Sequence, residues 1–257
     1  MKIIPDTLLE NYRNQLGSKL HEALQQLDES FVRPDSFNFY TSIAVITSSK
    51  IEGEPMEVDS YIKHKLQHIE YLPELTQKPN DLFRTYIYAR ENRLTNEHFS
   101  QVHRILTEHL LPAHYRGAHR RNAMVVMEHK TGRIQFEAAP AHLVEGEMDK
   151  LWEDIDELLR CNLSLEETFY YASFIHLLFV CIHPFNDGNG RAGRLLEKWF
   201  LSDKLGPLAW YVQSEQHYYQ HVDDYYRNLN RLGVFYEQLD FTKAEPFLMM
   251  LPGALDK

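Results

Sequence analysis

The chain has 257 residues, 44% of them hydrophobic and 25% charged, which is near the average of folded domains and excludes disorder as its main state. Against 37 Asp and Glu stand 27 Lys and Arg, a net charge of −10, which argues against nonspecific binding to duplex nucleic acid, where many phosphates must be neutralised. Two cysteines, Cys161 and Cys181, make no disulfide framework and point to a reducing compartment.

No sustained apolar stretch opens the chain, so no signal peptide is expected. The longest apolar run, Phe174–Ile182, is interrupted by His176 and falls short of the roughly 20 residues that span a bilayer. A cytoplasmic chain without a membrane segment is the expectation.

Most of the sequence has helical period. Asp6 or Thr7, with Glu10 behind, can start a helix whose Leu9, Tyr12, Leu16, Leu20, Leu24 and Leu27 share one face. Ser42–Thr47 is rich in β-branched residues and by propensity alone reads as a strand. Val58, Tyr61, Ile62, Lys65, Leu66 and Ile69 repeat the three-four spacing until Pro73, and Pro73–Pro79 is the best candidate seam. Asn96 can cap a segment bearing Phe99, Val102, Ile105, Leu106 and Leu110. Ala123–Met127, then His129–Gly132, then Arg133–Phe136 reads as a short hairpin turning at a glycine. Val144 to Leu159 marks a further helix. Ser164 with Glu167 forms a capping box before Phe169–Ile182, which is apolar nearly all round and so is expected to be the central buried helix. Two more helices are expected at about 189–203 and 215–231.

The chemistry concentrates in His183-Pro-Phe-Asn-Asp-Gly-Asn-Gly-Arg-Ala-Gly-Arg194. A buried helix ends at a histidine, a carboxylate follows at Asp187, and Gly188-Asn189-Gly190 lets successive backbone N–H groups turn inward on an anion. A helix beginning there adds positive potential, and Arg191 and Arg194, three apart, project from neighbouring positions. These residue types suit a polyphosphate with a metal ion and a general base beside it, and Mg²⁺ needs no more than one or two carboxylates. Each residue alone has a blander reading: a helix cap for His183, a turn for Asp187, a solvated face for the arginines. The string Gly188 to Gly193 also fits the glycine pattern of dinucleotide folds, but no acid follows about 20 residues later as that fold requires.

The segment from His183 to Arg194 matches at every fixed position H-x-F-x-[DE]-G-N-G-R-x-x-R, and so resembles the signature of the Fic family. The resemblance extends to the preceding helix, the hairpin and the helical tail. It implies a mainly α fold: a Fic helical bundle over 81–257 with a short β-hairpin flap, preceded by a helical extension over 1–80. It further implies an enzyme that transfers AMP from Mg²⁺-ATP to a Ser, Thr or Tyr hydroxyl of a target protein. By that resemblance His183 is the general base and Asp187 holds Mg²⁺. Gly188, Asn189 and Gly190 cradle phosphate oxygens, while Arg191 and Arg194 grip the outer phosphates. Phe185 is read as a core anchor of the loop. Met124, Val125 and Val126 resemble the flap that aligns a target segment by strand addition. Tyr225 and Tyr226 resemble a nucleotide-side pair, with ordinary helix packing an equal alternative.

Ser48-Ser-Lys-Ile-Glu52-Gly53 resembles the inhibitory motif [ST]-x-x-x-E-[GN] of the same family. On a helix Ser48 and Glu52 are i,i+4 neighbours and Gly53 suits the residue past its end, which opposes the strand reading of Ser42–Thr47. The resemblance implies that Glu52 pairs with Arg194 and occupies γ-phosphate space. It leaves open removal of AMP, transfer of UMP, an inactive nucleotide-binding scaffold, and a homodimer. Only 257 − 194 = 63 residues follow Arg194, so a DNA-binding module is not expected.

Overall fold

The computed structural model describes residues 1–31, 36–127, 132 and 134–255, without the side chains of 28–31. The architecture is mainly α with one two-stranded antiparallel sheet, as expected. The N-terminal helix is two pieces, α1 (Leu9–Leu16) and α2 (Lys19–Phe31), because Gly17 takes a positive φ of 53° and ends α1. The amphipathic spacing thus runs across a break that one apolar face conceals.

Helix α3 (Ser36–Ile51) contains Ser42–Thr47, so the propensity reading fails there. Burial overrides it: Thr41, Ser42, Ala44, Val45, Ile46 and Thr47 are all in the interior. The hydroxyls are satisfied within the helix, Ser42 donating to Asn38 O at 2.6 Å and Thr47 to Ile43 O at 2.7 Å. Helix α4 (Val58–Gln67) stops at His68, which is left-handed, rather than at Pro73, and Leu66 and Ile69 stay exposed. Pro73 instead occupies the first turn of α5 (Pro73–Glu91), where its missing N–H costs nothing. The stretch Pro73–Pro79 is therefore helix rather than an open linker, with Thr76 and Pro79 buried.

Thr95, not Asn96, caps α6 (Asn96–Leu106), its side chain accepting from His98 N at 3.2 Å. Strands β1 (Val125–Met127) and β2 (Ile134–Glu137) pair Val125 with Glu137 and Val126 with Phe136, with an irregularity before Met127. Of the turn expected at His129–Gly132, residues 129–131 lie outside the described residues, and Gly132 has a positive φ of 66°. Helix α7 (Val144–Arg160) follows. Buried Asp154 on α7 accepts the backbone amides of Lys2, Ile3 and Ile4, anchoring the N-terminus.

Helix α8 (Leu165–Ile182) opens on the expected capping box of Ser164 and Glu167, and every residue from Thr168 to Ile182 is buried. It is the only helix among the described residues long and apolar enough to cross a membrane, and its interior position in this fold accounts for that composition. α9 (Asn189–Leu205) packs on α8 and also meets α3, α5 and α6. The helix expected over 215–231 is divided at His221 into α10 (Ser214–Gln220) and α11 (Val222–Asn230). Two short helices, α12 (Glu245–Leu248) and α13 (Met250–Gly253), close the bundle.

Candidate active site

The junction of α8 and α9 builds the site. His183 caps α8 in the left-handed conformation, φ 54° and ψ 59°, and Gly188, with φ 82°, is the residue before α9. Phe185 is buried between them, its ring 3.6 Å from His103 and nearly parallel to it. His103 Nδ1 accepts from Gly117 N at 2.9 Å, which leaves the proton on Nε2 to donate to Asp187 O at 2.9 Å. Burial pulls the His103 imidazole down to about 4, so it stays neutral in that role.

His183 is half-buried, with Nδ1 3.1 Å from Val180 O. A carbonyl only accepts, so Nδ1 carries the proton and Nε2 keeps its lone pair. Burial draws this imidazole down to about 4, and Arg120 acts in the same direction against Glu52 and Asp187. Asp187 is about half exposed, its Oδ1 accepting from Gly188 N at 2.6 Å.

One cavity collects much of what the sequence singled out: His183, Asp187, Gly190, Arg194, Glu52 and both Tyr225 and Tyr226 line it. Val125 and Val126 close it from the hairpin, joined by Met127. Met124 precedes β1 and does not line the cavity; its carbonyl accepts from Ala138 N at 3.1 Å. Gly188, Asn189 and Arg191 do not line the cavity either. The Asn189 side chain is committed to the loop, Oδ1 accepting from Phe185 N at 2.9 Å and Nδ2 donating to Phe185 O at 2.8 Å. What it can still offer an anion is its backbone N–H at the start of α9.

Arg194 is fully buried and faces the end of α3. Its Nε donates to Ser48 Oγ at 2.8 Å, and its Nη2 donates to Ser48 O at 3.0 Å and to Glu52 Oε1 at 2.6 Å. Burial alone would weaken its hold on the proton, but the Glu52 carboxylate outweighs that and raises the pKa. Gly53, φ 84°, turns the chain after α3. Glu52 Oε1 lies so close over Gly190 that a Cβ there would overlap it. Arg191 is 3.8 Å from Glu54 and from Asp187, and its Nε and Nη1 are buried without a hydrogen-bond partner among the described residues.

Tyr225 is buried, its hydroxyl 3.1 Å from His176 Nε2, while His176 Nδ1 is 2.9 Å from Glu197. Tyr225 packs in the bundle, as one sequence alternative had it, and it also lines the cavity. Sequence reasoning missed His103 and Arg120. What sets each beside the site is a distant contact, His103 with Asp187 and Arg120 with His183, which no local pattern announces.

Residues 93–201 match the model of the Fic/DOC family. The chain carries a Fic/DOC domain. Family members transfer nucleotide-derived groups to proteins. The structural likeness is wider than residues 93–201. A Fic family protein from Desulfovibrio desulfuricans G20 superposes with a TM-score of 0.78 at 22% identity, over 95% of this chain and 71% of the other. A Fic domain containing signaling protein from Bacteroides thetaiotaomicron gives 0.68 at 18% identity, over 93% and 92%. A fragment of Fic-1 from C. elegans gives 0.65 at 14% identity, over 96% and 71%. At these identities the likeness speaks for the fold, and the Fic/DOC fold here includes α3 and the hairpin.

Proposed function

We propose that the Fic/DOC domain is a protein adenylyltransferase restrained by Glu52. The observation that carries this reading is the common cavity of His183, Asp187, Gly190 and Arg194 beneath the hairpin, with Glu52 on the arginine. His183 Nε2 takes the proton of a target Ser, Thr or Tyr hydroxyl, whose oxygen attacks the α-phosphorus of ATP as pyrophosphate leaves. Backbone N–H groups at the start of α9 and the Arg194 guanidinium receive the phosphates.

Among the described residues no three His, Cys, Asp or Glu side chains gather to hold a metal unaided. A half-exposed Asp187 fits Mg²⁺, which takes one or two carboxylates and completes its shell with phosphates and water. Bound there, Mg²⁺ would neutralise charge on the phosphates. Val125 and Val126 on β1 would align the target segment by strand addition, and Tyr225 and Tyr226 would face the nucleoside.

Glu52 takes the donors that a terminal phosphate would need, so the resting enzyme is expected to be slow. With α-labelled ATP, Mg²⁺ and a cell lysate, label on protein is expected to rise at least about tenfold in Glu52→Gly, the removal of a competing charged hydrogen bond worth about 1.5–3 kcal/mol. His183→Ala is expected to abolish it. Equal labelling by wild type and a folded Glu52→Gly would defeat the restraint. Labelling from UTP alone would reassign the nucleotide, and release of AMP from a modified protein would reverse the direction.

A further inference from the structure

His183 adopts a conformation that side-chain-bearing residues rarely take, and such a residue persists only where its surroundings over-determine it. The helix end beside it also leaves carbonyls without intrahelical partners. Three consecutive carbonyls there accept from one residue. Arg120 Nη2 donates to Ile182 O at 3.1 Å, its Nε donates to His183 O at 2.7 Å, and its backbone N–H donates to Pro184 O at 2.8 Å.

The other arms of the same guanidinium reach the hairpin. Nη1 donates to Asn122 O at 2.6 Å, ahead of β1, and Nη2 donates to Ala139 O at 2.5 Å, past the end of β2. Arg120 is 2% exposed, and among the described residues no carboxylate pairs with it. A buried cation whose partners among the described residues are four carbonyl dipoles, with a fifth held by its backbone N–H, is costly unless the geometry is needed. The planar fork suits this: a lysine has three donors on one nitrogen and cannot reach carbonyls spread over two segments.

We propose that Arg120 is a positioning residue that fixes the His183 imidazole against both feet of the hairpin, so that base and aligned target hydroxyl share one frame. This rests on the reading of His183 as general base. Arg120 touches neither Arg194 nor the start of α9, so nucleotide binding should be indifferent to it, whereas the transfer step should not. A misplacement of about 1 Å at the reacting centre costs on the order of 100-fold.

The test compares Arg120→Met and Arg120→Lys, each in the Glu52→Gly background. ATP is varied in the labelling assay, and the His183 Cε1–H resonance, assigned by its loss in His183→Ala, is recorded. Arg120→Met is expected to keep the ATP KM within about twofold, lower kcat about 100-fold and shift or broaden the resonance. Arg120→Lys, which keeps a cation but not the planar fork, is expected to fall between, and it carries the test if the methionine variant does not fold. A kcat within about threefold of the parent, or a raised KM at unchanged kcat, with an unmoved resonance overturns the proposal. If the parent itself transfers nothing, the adenylyltransferase reading fails separately. The resonance then decides for Arg120: a shift upholds the positioning role, and an unmoved line ends it.

Discussion

On the adenylyltransferase reading His183 is a base set beside two carboxylates and two guanidiniums, and it is kept neutral by burial more than by those charged neighbours. Its pKa is drawn down to about 4 from an ordinary value near 6.5. Burial disfavours the imidazolium, Arg120 repels it, and Glu52 and Asp187 partly compensate. The sign follows: the folded chain refuses a proton that the unfolded chain accepts between about pH 6.5 and 4, so stability falls as pH falls through that window. His103 contributes in the same direction. For catalysis the consequence is opposite in feel, because the base stays unprotonated over the same range. The kcat/KM of Glu52→Gly for ATP is expected to be flat from pH 7.5 to below 6, with its acid limb nearer 4. A limb centred at 6.5 in the pH profile would show that the imidazole is solvated as in an open peptide.

At the scale of elements, the joint between α8 and α9 depends on close approach. A Cβ at Gly193 would stand 3.0 Å from Val180 Cγ1 and 3.1 Å from both His176 Cδ2 and Phe179 Cδ1, side chains that are themselves buried and packed. Gly146 on α7 is a helical glycine with nothing within 4 Å of such an atom. Replacing a helical glycine by alanine gains about 1 kcal/mol in backbone terms, and overpacking a core costs about 1–3. Gly146→Ala is therefore expected to raise the midpoint of thermal unfolding, and Gly193→Ala to lower it by a few degrees. Calorimetry of the pair separates the two effects, and a Gly193→Ala chain as stable as Gly146→Ala would show that α8 and α9 can part freely. The same joint was the most legible part of the sequence. Ser164 and Glu167 announce the start of α8, its apolar circumference announces burial, and the loop from His183 to Arg194 carries nearly all of its chemistry within twelve positions. What escaped was set by distant packing. Ser42–Thr47 has strand propensity but lies inside the bundle as helix, and Gly17 and His221 divide helices whose apolar spacing continues across the break. Arg120 reads in sequence as part of His119-Arg-Arg121, a loop leading to the hairpin rather than a basic patch, and only the fold shows it buried beneath the segment that begins at His183.

Across the whole molecule, Glu52 is carried by an element that cannot easily leave. Helix α3 is buried from Thr41 to Ser49 apart from Ile43, and it packs against α4, α5, α9 and α10. Freeing Arg194 is thus a local event at the turn of Glu52 and Gly53 rather than the undocking of a helix. Glu52→Gly should leave the bundle intact while stranding a buried guanidinium that, among the described residues, keeps Ser48 Oγ and Ser48 O as acceptors. A buried charged donor that loses its partner costs about 1–3 kcal/mol, and for a chain of this size each kcal/mol lowers Tm by about 2–4 °C. A triphosphate would restore what the mutation removed. On the adenylyltransferase reading, Mg²⁺-ATP at about 100 times Kd adds about 2.7 kcal/mol to a competent site. In the wild type, Glu52 competes for Arg194 and holds the same ligand in a weaker pose. Differential scanning fluorimetry is expected to show a lower Tm for Glu52→Gly alone and a larger rise with Mg²⁺-ATP than wild type, so that the two curves converge or cross. Equal rises in both proteins would mean that carboxylate and nucleotide do not compete for Arg194, and the restraint would have to be sought elsewhere than in the ion pair.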